Sequence, residues 1–224
     1  MGILKKLTEE YFGDTVREED LIDIHDLNVE IVSFTDNNDK FHKRGYKPED
    51  RDTLKELLER MIKVRGDEGN FNDIETSDIK SMVSLFQFNS TFNGDITGWS
   101  VSKVIDMSGM FYNAKSFNQD ISNWEFPNLI NMSFMFSHAT SFNQPIGKWK
   151  FPIVRDMSDM FMKATSFNQD ISKWEFPYVI NMNGMFSEAT SFNQDLSKWD
   201  LKGKKKTKIF NGCPIKKEYK PKMK

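Results

Sequence analysis

The sequence predicts a repeat solenoid of the α/β class, with short helices and short strands in every coil and a small α+β cap region ahead of them. Three observations carry this expectation. Aromatic and sulfur-bearing residues recur every 25 positions, the apolar spacing changes from helical to strand-like inside each unit, and a well-punctuated helix stands before the first unit. The chain has 224 residues, 38% hydrophobic and 29% charged, which are ordinary values for a folded globular protein. Its 20 phenylalanines and 13 methionines provide the bulk of a packed core.

Residues 1–47 read as an N-terminal α+β segment. ILKKLTEEYF has a helical pattern, and VEIVSFTDNNDKFHKRGY reads as two strands around an Asp-Asn-Asn-Asp turn. The segment is either a small appended subdomain or an extension of the cap. Its start holds no apolar run of the kind a secretory signal needs, and Lys6 stands where a myristoylation motif wants Ser or Thr. With no 18-residue apolar stretch anywhere, no membrane span is expected. These readings place the chain in the cytoplasm, with a virus particle as the other location.

Residues 48–70 read as a capping helix and linker. Pro48 near the start and Gly66 past the end of KPEDRDTLKELLERMIKVRG mark its limits. Leu54, Leu57, Leu58, Met61 and Ile62 form one stripe, expected to lie on the first coil.

Residues 71–217 hold five 25-residue repeats with half-repeats at both ends. Met82, Met107, Met132, Met157 and Met182 form one column, and Phe86, Phe111, Phe136, Phe161 and Phe186 another. Phe92, Phe117, Phe142, Phe167 and Phe192 form a third, each followed by Asn. All five tryptophans, Trp99, Trp124, Trp149, Trp174 and Trp199, also stand 25 apart. Met107, Met110, Phe111, Ala114 and Phe117 fall at helical spacing, whereas Trp124 and Phe126 alternate around Glu125 as in a strand that Pro127 ends. A unit this short cannot bury its own apolar face, but stacked units cover one another. The Asn column is expected to be buried and to satisfy backbone groups of its own and the adjacent coil.

At the ends, FNDIETSDIKSM resembles a half coil, and KIFNGCPI a degenerate Met-Phe turn shifted by one residue. Residues 218–224 read as a basic tail. Charge is unevenly spread: residues 1–50 hold 13 acidic and 7 basic side chains, and residues 201–224 hold ten lysines and one glutamate. The lysines suit either a solvated terminus or contact with phosphate or an acidic partner.

No catalytic or cofactor constellation emerges. His25, His42 and His138 are scattered, and no H-E-x-x-H, G-x-S-x-G or P-loop pattern occurs. Asp95, Asp120, Asp170 and Asp195 form a column broken by Pro145, which reads as turn-stabilising rather than as a calcium site. The stacked methionines have no Cys or His beside them and read as core, so no metal or cofactor is expected. The lone Cys213 reads as a small buried residue. Lys148, Lys173 and Lys198 alternate with Glu125, Glu175 and Asp200, a mixed-charge face unlike the continuous basic surface that nucleic acid requires.

The units NMSFMFSHATSFNQPIGKWKFP and DMSDMFMKATSFNQDISKWEFP resemble the mycoplasma-type lipoprotein repeat, grouped with BspA-like leucine-rich-repeat surface proteins. The resemblance covers residues 70–217 and includes the border motifs. It implies a leucine-rich-repeat-like right-handed coil, with the Trp-x-Phe strands forming a parallel sheet. It also implies protein or surface binding, with no catalytic residues to carry over. The chain lacks the signal and lipobox cysteine of exported members.

Positions that differ among repeats are expected to face outward. Ile130, Arg155 and Ile180 share one such column, and Asn128, Ile153 and Tyr178 a second. Tyr112, Ser137, Met162 and Ser187 share a third. Ile130, Arg155, Ile180, Ile153, Tyr178 and Met162 are the candidate binding residues, either as an interaction stripe or as lateral cover between coils. The expected function is non-enzymatic protein–protein recognition with a protein partner. The alternative is a structural or assembly component of a virus or phage particle or of a surface layer.

Overall fold

The computed structural model describes residues 22–24, 26–35 and 42–222. The helix expected at ILKKLTEEYF and the Asp-Asn-Asn-Asp turn lie outside the described residues. Strands β1 (Val29–Thr35) and β2 (His42–Pro48) pair antiparallel, with Val29 opposite Pro48 and Thr35 opposite His42. Tyr46 of β2 forms a parallel bridge with Ile74, joining the hairpin to the repeat region.

Helix α1 (Arg51–Arg65) starts where the Asp50 side chain accepts the N–H of Thr53, and stops at Gly66, φ 78°. It buries Leu54, Leu57, Leu58 and Met61, the face read from the sequence, whereas Ile62 is only partly buried. Arg65 holds Asp73 with two contacts of 2.7 Å, and Arg60 clamps Asp26 while also reaching Glu56.

From residue 81 onward, successive units lie side by side in register. Single parallel bridges link Ser81, Asp106, Asn131, Asp156, Asn181 and Lys205 in a row. The N–H groups of Met107, Gly109, Phe111 and Asn113 donate to the carbonyls of Asn131, Ser133, Met135 and Ser137, at 2.8–2.9 Å. The N–H groups between them, of Met110, Tyr112 and Ala114, close turns onto Met107, Gly109 and Phe111. The same alternation starts at Met82, Met132, Met157 and Met182. Each peptide in these rows therefore accepts from the unit before and donates to the unit after, so all the bonds in the rows point the same way.

Two expectations about local structure need correction. The Met-to-Ala segments are chains of turns, not helices. Two residues in each unit take a left-handed backbone, for example Phe134 at φ 57° and His138 at φ 61°, and an α-helix cannot continue through them. Trp124–Phe126 and its counterparts form no strand, and the parallel bridges fall just before the methionines instead. Prolines follow these segments in three units and supply no ladder donor. The Trp N–H is also occupied within its own unit, as in Trp124 to the Ile121 carbonyl.

The columns form the core. Phe86, Phe111, Phe136, Phe161, Phe186 and Phe210 stack with centroids 5.5–5.7 Å apart. Each of the first five also stacks on the partner phenylalanine of its own unit, as Phe136 does on Phe142 at 3.9 Å. The indole N–H of Trp99, Trp149, Trp174 and Trp199 donates to a carbonyl 28 residues earlier, and the indole of Trp124 alone among the buried side-chain groups of the described residues lacks a partner. The Asn column is less buried than expected, with Asn118 and Asn168 exposed. Its bonds still cross units, because the side-chain oxygen of Asn118 accepts the N–H of Asn143, at 2.9 Å.

Candidate functional site

The candidate surface follows from which side chains the turns leave outside. Eight large hydrophobic residues are exposed among the described residues, and five of them fall in the first two variable columns. Ile105, Ile130 and Ile180 occupy one column with exposed Arg155 between the last two, and Ile153 and Tyr178 occupy the other. Tyr178 is 57% exposed and Ile180 47%. The isoleucine column also carries backbone bonds, from the N–H of Ile130 to Ile105, of Arg155 to Ile130 and of Ile180 to Arg155, at 2.8–2.9 Å. These bonds fix the spacing of the side chains along the stack. Every other isoleucine whose side chain is described is buried or partly buried.

The third column does not face outward as expected. Ser137 and Ser187 are buried and Met162 is half-buried. The chain turns sharply on both sides of this position, at left-handed residues such as Phe134 and His138, and folds it inward. His138 also contacts the Ser137 hydroxyl through Nδ1, at 3.0 Å. Met162 therefore belongs less to the surface than Ile130, Ile153, Tyr178 and Ile180 do.

Two signals escaped the sequence reading. Ile105 stands 25 residues before Ile130 and belongs to its column. Phe88 and Phe134, both exposed, interrupt columns otherwise filled by polar residues or glycine.

The carboxylates act on their own turns. Asp120, Asp170 and Asp195 each accept the N–H two residues on, from Ser122, Ser172 and Ser197. The hydrogen bonds that Ser122 gives Asp120, from its side chain and its backbone, hold that carboxyl below its ordinary range. A second polar column, Asp106, Asn131, Asp156 and Asn181, links units in pairs through Asn131 to Asp106 and Asn181 to Asp156, at 3.1 and 3.0 Å. Among the described residues no three His, Cys, Asp or Glu side chains gather closely enough to hold a metal ion. No helix among them is long and apolar enough to cross a membrane. The mixed-charge face carries two shallow clefts of about 460 and 310 Å³, bordered by Lys150 and Pro152.

A family model described as "Mycoplasma protein of unknown function, DUF285" matches the chain twice, over residues 53–154 and 128–220. No curated protein and no solved structure matches it.

Proposed function

The chain belongs to this Mycoplasma protein family of unknown function, and from that premise we propose that it is a non-enzymatic protein-recognition scaffold, a leucine-rich-repeat-like right-handed solenoid whose outer columns meet a protein partner. One observation carries the reading. Ile105, Ile130, Ile153, Tyr178 and Ile180 are exposed in two neighbouring columns, and only Val64, Phe88 and Phe134 among the other large apolar residues described are exposed as well. A periodic apolar stripe on a rigid stack suits a partner with a matching apolar ridge, and Arg155 adds a charge for orientation. Affinity capture with the intact chain and with an Ile130→Glu, Ile180→Glu variant tests this. The proposal expects a defined protein partner that the variant loses. Capture of no protein under several conditions, or equal capture by both forms, contradicts it.

The opposite charges at the chain's two ends favour a second reading, an assembly component. Residues 1–50 carry an acidic excess and residues 201–224 a basic one. Complementary ends permit head-to-tail association, which forms open filaments when the rotation does not close. Sedimentation at rising concentration and low salt distinguishes the two, since a monomer throughout excludes the assembly role.

A further inference from the structure

Phe88, Tyr112 and Phe134 come from three successive units and border a shallow cavity of about 530 Å³. Tyr112 stands edge-on to both phenylalanines, with centroids 5.2 Å from Phe88 and 6.4 Å from Phe134. Phe88 is 62% exposed and Phe134 39%, so neither ring serves the core.

The fold itself gives no reason for phenylalanine at these two places. Both residues have a left-handed backbone, φ 62° and 57°, where a bulky side chain costs energy. The equivalent positions in other units hold Asn113, His138, Lys163 and Glu188 in the Phe88 column, and Ser84, Gly109, Asp159 and Gly184 in the Phe134 column. Two exposed rings thus stand at strained positions, on either side of a tyrosine.

The rest of the lining is polar and neutral. The hydroxyls of Ser84, Ser108 and Ser133 and the amide of Gln87 border the rings, and none of these side-chain groups has a hydrogen-bond partner among the described residues. No charged side chain lines the cavity, although 29% of the chain's residues are charged. A charged ligand finds no counter-charge here. A purely apolar ligand would desolvate three hydroxyls and an amide without compensation. A ligand with flat C–H faces for the rings and neutral hydroxyls for the polar groups satisfies both sets.

We propose that this cavity binds a neutral saccharide. The site is independent of the isoleucine stripe and stands whether or not that stripe binds protein.

Calorimetric titration of the full chain with cellohexaose, chitohexaose and maltohexaose tests the proposal. At least one should bind with a dissociation constant on the order of 1 mM or tighter. Combined Phe88→Gly and Phe134→Gly substitution should weaken that binding at least tenfold, by about the contribution of an aromatic contact. The same variant should unfold at an equal or higher temperature, because glycine adopts φ near 60° without strain. Gln87→Ala, at an exposed position, should weaken binding by about threefold to tenfold through one lost hydrogen bond, with the fold undisturbed. Absence of binding by all three sugars up to about 10 mM overturns the proposal. So does binding that survives the glycine substitutions, or selective binding of a proline-rich peptide at these rings.

Discussion

At its N-terminal end the stack is covered by α1, and at its C-terminal end the last described row of donors lies open. The difference follows from the direction of the hydrogen bonds. Inside the stack every peptide of the rows accepts from one neighbour and donates to the other, so the first unit is left with carbonyls and the last with N–H groups. At the first end, Nε and Nη2 of Arg51 donate to the Val83 carbonyl at 3.0 and 2.8 Å, while Leu54, Leu57, Leu58 and Met61 bury the apolar edge. At the last end, the N–H groups of Lys206, Lys208, Phe210 and Gly212 occupy the donor positions without an acceptor among the described residues. Lysines surround them, with Lys220 Nζ 5.9 Å from the centre of the half-buried Phe210 ring. A one-way ladder therefore needs chemically different caps, and here the acceptor-rich end has been given donors while the donor-rich end carries further positive charge.

The largest expected effect separates the interior from that open end. Phe136→Ala should cost about 4 kcal/mol in thermal or denaturant unfolding, as a fully buried ring stacked on both sides. Phe210→Ala, in the same column but covered on one side, should cost about 1.5 kcal/mol. Equal costs would erase the distinction. Arg51→Met keeps the length of the side chain and removes its donors, and should cost about 1.5 kcal/mol. A neutral result there would mean that the Val83 carbonyl needs no cap.

A pH titration examines the interior rows. Burial first, then the charge of Lys163, holds the His138 imidazole below its ordinary value. The unfolded chain therefore takes up that proton at a higher pH than the folded chain does. Stability from this group is complete above about pH 6.5 and is lost as the pH falls toward the folded value. His138→Asn, which suits a left-handed position as Asn113 does, should flatten this slope in acid unfolding curves. The smallest effect concerns the open end. Lys208→Asp places an acceptor beside unpaired donors and should stabilise by about 0.5 kcal/mol, comparable to an acidic residue at a helix N-terminus. Destabilisation by this change would show that the donors are already satisfied.

What was legible in the sequence was the periodic part. The Met, Phe and Trp columns are buried at the positions that their 25-residue spacing marks, and α1 ends at Gly66 as read, whereas its start is set by Asp50 and not by Pro48, which belongs to β2. Local conformation was less legible, because apolar residues at helical spacing also fit a chain of turns that buries one side. The discriminating signal is a pair of polar or glycine residues four apart in each unit, such as Gly109 and Asn113, and Phe88 and Phe134 disguise it. In the candidate surface, variability located Ile130, Ile153, Tyr178 and Ile180, which sit on the flank of a straight row. It misled at Met162, because a position between two left-handed residues points inward whatever side chain it bears.

Hydrogen exchange read amide by amide tests the one-way ladder most directly. The N–H groups of Phe111, Phe136, Phe161 and Phe186 should exchange slowest of all. The equivalent N–H of Phe210, together with those of Lys206, Lys208 and Gly212, should exchange as fast as open loops. Protection of the Phe210 amide equal to that of Phe136, or rapid exchange at all five phenylalanines, would contradict the account.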